Sequence, residues 1–182
     1  TETLDISKLP SVIDGFVYCP GSINLRPFKG LKIEAFESDL QINFISLVKV
    51  IQTVLPNLVA SEQSSIVLFS SVAASMGIPF HTSVAASKGA IEGFAKALAA
   101  EYAPKIRVNV IAPSLTNTPL ADKFLNNETK QEKSAERHPL KRFGKPEDSA
   151  QMACFLLGEK SSWISGQVFH VDGGMSTLLV NG

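Results

Sequence analysis

Four short apolar runs, at 13–18, 65–69, 107–111 and 168–171, are separated by stretches of helical periodicity, and this alternation constrains the fold more than any other feature of the 182 residues. Consecutive parallel strands need a crossover long enough to hold a helix, so a chain that alternates the two builds a parallel sheet. Between 33 and 58, Phe36, Leu40, Phe44, Leu47, Ile51, Val54 and Leu55 recur at helical spacing, which predicts one long helix ended near Pro56. Thr82 or Ser83 is expected to cap the next helix, whose Ala85, Ala86, Ala90, Phe94, Ala95, Leu98 and Ala99 present a small-residue face. From 116 to 138 the periodicity weakens and polar residues accumulate, so the segment is expected to be a mobile insertion or lid. Pro146-Glu147-Asp148 opens a last helix, with proline in the first turn and acids at the positive end of the dipole.

A hydrophobic content of 45% and a formal net charge of +0 predict one soluble globular domain over 1–182. No run approaches the ~18 consecutive apolar residues of a membrane span. The interspersed charges give no electrostatic footing for nucleic acid or an anionic membrane. Cys19 and Cys154 make no disulfide framework and are expected to be buried small hydrophobes in a reducing, cytoplasmic setting, and no metal-ligating set is expected.

Ligands of open α/β sheets bind beyond the carboxyl ends of the strands, which gathers Cys19-Pro20-Gly21, Ser70-Ser71 and Pro113-Ser114 around one crevice. The stretch Ser70-Ser71-Val72-Ala73-Ala74, followed by Val84-Ala85-Ala86-Ser87-Lys88-Gly89-Ala90, resembles the central segment of the short-chain dehydrogenase/reductase family. The likeness runs from Leu4-Asp5-Ile6 through Asp14-Gly15-Phe16-Val17, Arg107-Val108-Asn109 and Arg142-Phe143-Gly144-Lys145-Pro146-Glu147-Asp148 to Val171-Asp172-Gly173-Gly174. It implies a Rossmann-like doubly wound α/β fold, three layers deep, with the family's first βαβ portion and its glycine-rich turn absent from this chain. Without that portion the sheet is expected to lack its central strand and to bare apolar surface at the remaining edge.

In the family a serine is followed after a fixed interval by Tyr-x-x-x-Lys. Here Ser71 precedes Val84 by 13 residues and Lys88 follows it by four, so serine and lysine match while the tyrosine position is aliphatic. The resemblance implies that Ser71 holds the substrate oxygen, that Lys88 bonds the nicotinamide ribose, and that Asn43 anchors a water leading to the lysine. His81, three residues before Val84, is either a substitute general acid or a helix cap lining the pocket. Toward NAD or NADP the resemblance implies Asp5 at the adenine, Pro20 and Gly21 in the turn beside the adenosine, and Pro113, Ser114, Thr116 and Thr118 near the nicotinamide. The charge that separates NAD from NADP would precede Thr1.

The expected function is an NAD(P)-dependent oxidoreductase of a small carbonyl or alcohol, with an atypical site. Two alternatives stand beside it: a silent scaffold that binds a nucleotide or protein, and a dehydratase or isomerase using Lys88 or His81 without net hydride transfer. The resemblance also implies a homodimer or homotetramer, paired through the helices at 33–58 and 84–102, with 175–182 near a subunit contact.

Overall fold

The computed structural model describes residues 6–180, so the expectation for Asp5 lies outside the described residues. Four parallel strands, β1 (Gly15–Tyr18), β2 (Ser64–Phe69), β3 (Ile106–Pro113) and β4 (Val168–Val171), form one sheet in the order β1-β2-β3-β4. Successive strand residues point to opposite faces. Ile66, Leu68, Ile106, Val108 and Val110 therefore meet one layer, while Val67 and Ile111 meet the other. The first layer consists of a long helix, made of α1 (Ile33–Leu40), a π-helical turn (Gln41–Ile45) and α2 (Ser46–Val59), with α3 (Thr82–Tyr102) beside it. Leu47, Ile51, Val54 and Leu58 of α2 and Ile91, Ala95, Leu98 and Ala99 of α3 supply its buried side chains. On the far face lies α6 (Pro146–Leu157), which packs Ala153 and Leu156 onto the sheet. Two short helices, α4 (Asp122–Leu125) and α5 (Glu128–Glu136), fill the segment expected to be a lid.

The long helix does not end at Pro56 but runs to Val59. Proline forfeits one hydrogen bond, to the carbonyl of Gln52; both residues are exposed, and Pro56 lies only three residues before the helix ends, so the loss is cheap. Thr82 and Ser83 are not caps. The cap position is His81, without a side-chain cap bond, and the Ser83 hydroxyl turns inward to Asp39 Oδ2 at 2.6 Å. By length and composition Ile33–Val59 could cross a membrane, but it carries the fully buried Asp39 and Asn43 and packs α2 onto the sheet.

Arg107 explains one shared segment. Its guanidinium, 7% exposed, donates to the carbonyls of Leu156, Ser161 and Gly158, collecting acceptors that α6 leaves open at its C-terminus. Asn109 bonds Ile164 O and receives Gln167 N, which sets β4 beside β3. The turn between holds Trp163, 99% exposed, at the amino end of β4. At the start of α6, Asp148 accepts from Lys145 N and from Arg142 through two short bonds, 2.6 and 2.8 Å, and this pairing holds its carboxyl at about 2.

Candidate active site

The carboxyl ends of the strands open onto a cavity of about 1060 Å³ lined by Gly21, Ser71, Val84, Lys88, Ser114 and Thr116, among others. Ser71 leaves the end of β2 and accepts a hydrogen bond from Ala73 N at 3.2 Å, so it caps a short 3-10 turn while lining the cavity. Its neighbour Ser70 is committed to Glu92 through a 2.6 Å bond. Lys88 enters from α3, is 8% exposed, and donates to Phe69 O at 3.0 Å. Burial pushes its ammonium down to about 8, against the weaker opposing pull of Cys19 and Asp39. A Cβ at Gly21 would stand 3.2 Å from Lys88 Nζ and 3.3 Å from Asn43 Oδ1, so a side chain here would crowd both groups and glycine suits the close approach of the β1 loop.

Behind this wall lies a polar network. Asn43, fully buried in the π-helical turn, donates to Ser87 Oγ at 2.9 Å and receives Ser22 N at 2.8 Å. Asp39, one turn earlier and also fully buried, accepts from Ser22, Asn24 and Ser83. A buried carboxylate is tolerable only with such donors. The π turn is closed by Ser46, whose backbone N–H and hydroxyl both reach Gln41 O. Asp39, Ser22 and Ser87 were not named as site residues from sequence, and Ser83 was expected only as a helix cap, although Asp39 four residues before Asn43 in an apolar helix was the available signal.

Val84, 3% exposed, forms part of the cavity wall one helical turn from His81, which lines the same cavity. His81 Nδ1 lies 2.7 Å from Pro79 O. A carbonyl can only accept, so Nδ1 carries the proton and Nε2 is left for a ligand. Thr116 and Thr118 line the cavity, and Thr116 forms an isolated bridge to Gly144. Pro20 is exposed and outside the cavity lining.

The cysteines are not buried as expected. Both residues are exposed and line the cavity, Cys19 where β1 ends and Cys154 on a flank of α6 turned away from Ala153 and Leu156. Burial of the Cys19 sulfur still raises its pKa, with Lys88 pulling the other way. The polar segment after β3 contributes His138, which sequence reasoning took only as a boundary. It is 3% exposed, with Nε2 2.8 Å from Ser114 Oγ and Nδ1 2.6 Å from Ser134 O.

Residues 5–176 match the family model described as enoyl-(acyl carrier protein) reductase. The 3-oxoacyl-[acyl-carrier-protein] reductase FabG of Thermotoga maritima is 39% identical over 80% of this chain, which spans 58% of that relative's length. The inactive 2-(S)-hydroxypropyl-CoM dehydrogenase 2 of Xanthobacter autotrophicus is 34% identical over 91% of the chain and 74% of its own length. Among solved structures, a gluconate 5-dehydrogenase from Burkholderia cenocepacia in complex with NADP and tartrate superposes with a TM-score of 0.86 at 25% identity, covering 92% of this chain and 66% of that one.

Proposed function

The chain belongs to the short-chain dehydrogenase/reductase family, and on that premise we propose that it is an NAD(P)-dependent oxidoreductase of a small carbonyl or alcohol whose site works without the family's tyrosine. The observation that carries this reading is Lys88, a buried ammonium on the wall of the same cavity as Ser71. Its one hydrogen bond among the described residues goes to Phe69 O and leaves two N–H donors for the hydroxyls of a bound ribose.

The residues present fit the nicotinamide-ribose end of the cofactor, since Gly21 brings no side chain into the space beside Lys88 Nζ. No G-x-G-x-x-G string occurs in the 182 residues for the pyrophosphate. Lys88, Pro113, Ser114, Thr116 and Thr118 would hold the nicotinamide end, and the cofactor, when bound, supplies or accepts the hydride. Ser71 orients the substrate oxygen by its hydroxyl. Asn43 is not part of the cavity lining and acts as a positioning residue through Ser22 and Ser87. His81 is the proton donor available beside Val84, giving a proton from Nε2 in its cationic form.

The second reading, a silent scaffold that binds cofactor without turning it over, is favoured by Val84 itself, which has no proton to give. One relative named as inactive points the same way. Titration with NADH and NADPH, followed by turnover on a panel of carbonyls and alcohols, separates the two. Binding with turnover supports the oxidoreductase; binding without it supports the scaffold; failure to bind either nucleotide overturns both. A homo-oligomer in the cytoplasm completes the proposal, supported by exposed Ile42 and Ile45 on the long helix and by two free thiols.

A further inference from the structure

The hydroxyl of Ser114 lies 2.8 Å from His138 Nε2, and His138 Nδ1 lies 2.6 Å from the carbonyl oxygen of Ser134. These two distances fix the protons. The Ser134 carbonyl has no hydrogen to give, so neutral His138 carries its proton on Nδ1 and presents a lone pair at Nε2. Ser114 must then donate its hydroxyl hydrogen to Nε2. A serine hydrogen-bonded to the basic nitrogen of an imidazole whose other nitrogen is held by an acceptor is the arrangement that activates a serine nucleophile.

The pair is rigidly supported. His138 is 3% exposed, its N–H bonds Ala135 O, and its carbonyl accepts from Lys141 N. Gly173, at φ 62°, packs against the imidazole, with a notional Cβ 3.7 Å from two of its side-chain carbons. Ser114 is half-buried and, like His138, lines the large cavity. Leu115, Leu120, Ala121 and Phe124 also line it, which suits an apolar acyl group.

We propose that Ser114 and His138 form a second reactive centre, in which Ser114 is an acyl-accepting nucleophile for carboxylic esters with a short apolar acyl chain. Ser114 Oγ bonds to the ester carbonyl carbon while its proton passes to His138 Nε2. The carbon–oxygen bond to the alcohol portion breaks, and the alkoxide leaves with that proton. Water then attacks the acyl-serine, gives its proton to Nε2, and Ser114 Oγ departs carrying it. Ester and water become acid and alcohol, with no change of oxidation state and no need of a nicotinamide, so hydrolysis without added nucleotide reads this activity separately from the cofactor titration, although Ser114 is shared with the proposed nicotinamide site.

The test is active-site labelling of the full chain with a fluorophosphonate probe, mapped by peptide mass, beside hydrolysis of p-nitrophenyl butyrate. The expected result is one adduct per chain on Ser114, a butyryl adduct on the same residue, and no labelling in Ser114→Ala. His138→Gln should slow labelling by about 100-fold or more, the least that a general base contributes, with an unchanged circular dichroism spectrum. Mapping on the wild type alone decides the matter if a variant does not fold. An unlabelled wild type, an adduct placed elsewhere, or equal labelling in folded His138→Gln would overturn the proposal.

Discussion

At the scale of single residues the outcome turns on Lys88 and Val84. Lys88 is held near 8 by burial, against an ordinary lysine value of 10.5. Between those two values the unfolded chain keeps a proton that the native chain has lost, so native stability rises with pH across that window and the cost of burying the charge is complete below it. Lys88→Met removes that cost, worth up to about 3 kcal/mol less the lost bond to Phe69 O. The variant is therefore expected to melt higher than wild type at pH 7, by a margin that narrows as the pH is raised through 8 to 10. Its affinity for nicotinamide cofactor should nonetheless fall tenfold or more, since a charge-assisted bond is worth ~1.5 to 3 kcal/mol. A titration that finds unchanged affinity would refute the assigned role. Val84→Tyr is the complementary change. Its ring would enter the cavity beside Lys88, and general acid catalysis contributes ~10²- to 10⁴-fold in rate, so carbonyl reductase turnover should rise over wild type. If the variant folds and binds cofactor but gains no turnover, the pocket is shaped for other chemistry.

At the scale of elements, Arg107 ties a strand to the far end of a helix, and its planar fork is what the task requires. Arg107→Lys can satisfy only part of the carbonyl cluster formed by Leu156, Gly158 and Ser161. Loss of about 2 to 3 kcal/mol is expected, read as a lower denaturant midpoint. The four strands and α6 were legible because apolar runs and a Pro-Glu-Asp start are local signals, and the observed α6 begins at Pro146, where the sequence places it. The Pro56 boundary was misread because the rule against interior proline weakens in a helix's last exposed turn. Ser83 was misread as a cap because Asp39 lies 44 positions away in sequence. The same limit hid the Ser114–His138 pair: its partners are 24 residues apart, separated by a segment with little periodicity. Ser71, Lys88 and Thr116, which line one cavity, were named together because the family resemblance carries long-range placement that local patterns lack.

At the scale of the whole molecule, the long helix exposes Ile42 and Ile45, three residues apart and so on one face. If two copies pair there, Ile45→Glu should convert an oligomer to monomer in light scattering at micromolar concentration without altering the circular dichroism spectrum. A wild type that is already monomeric would dismiss the pairing. The parallel sheet also separates the molecule's two rims, because the candidate site residues that line the cavity lie at the strands' carboxyl ends while Trp163 stands at the amino end of β4. It is the one tryptophan in the chain. An indole already surrounded by water has little change of environment to register, so its emission should shift little when a ligand enters the cavity or when the chain unfolds. Optical titrations of this protein will need the nicotinamide's own fluorescence, and melting curves will need the helical signal in the far ultraviolet.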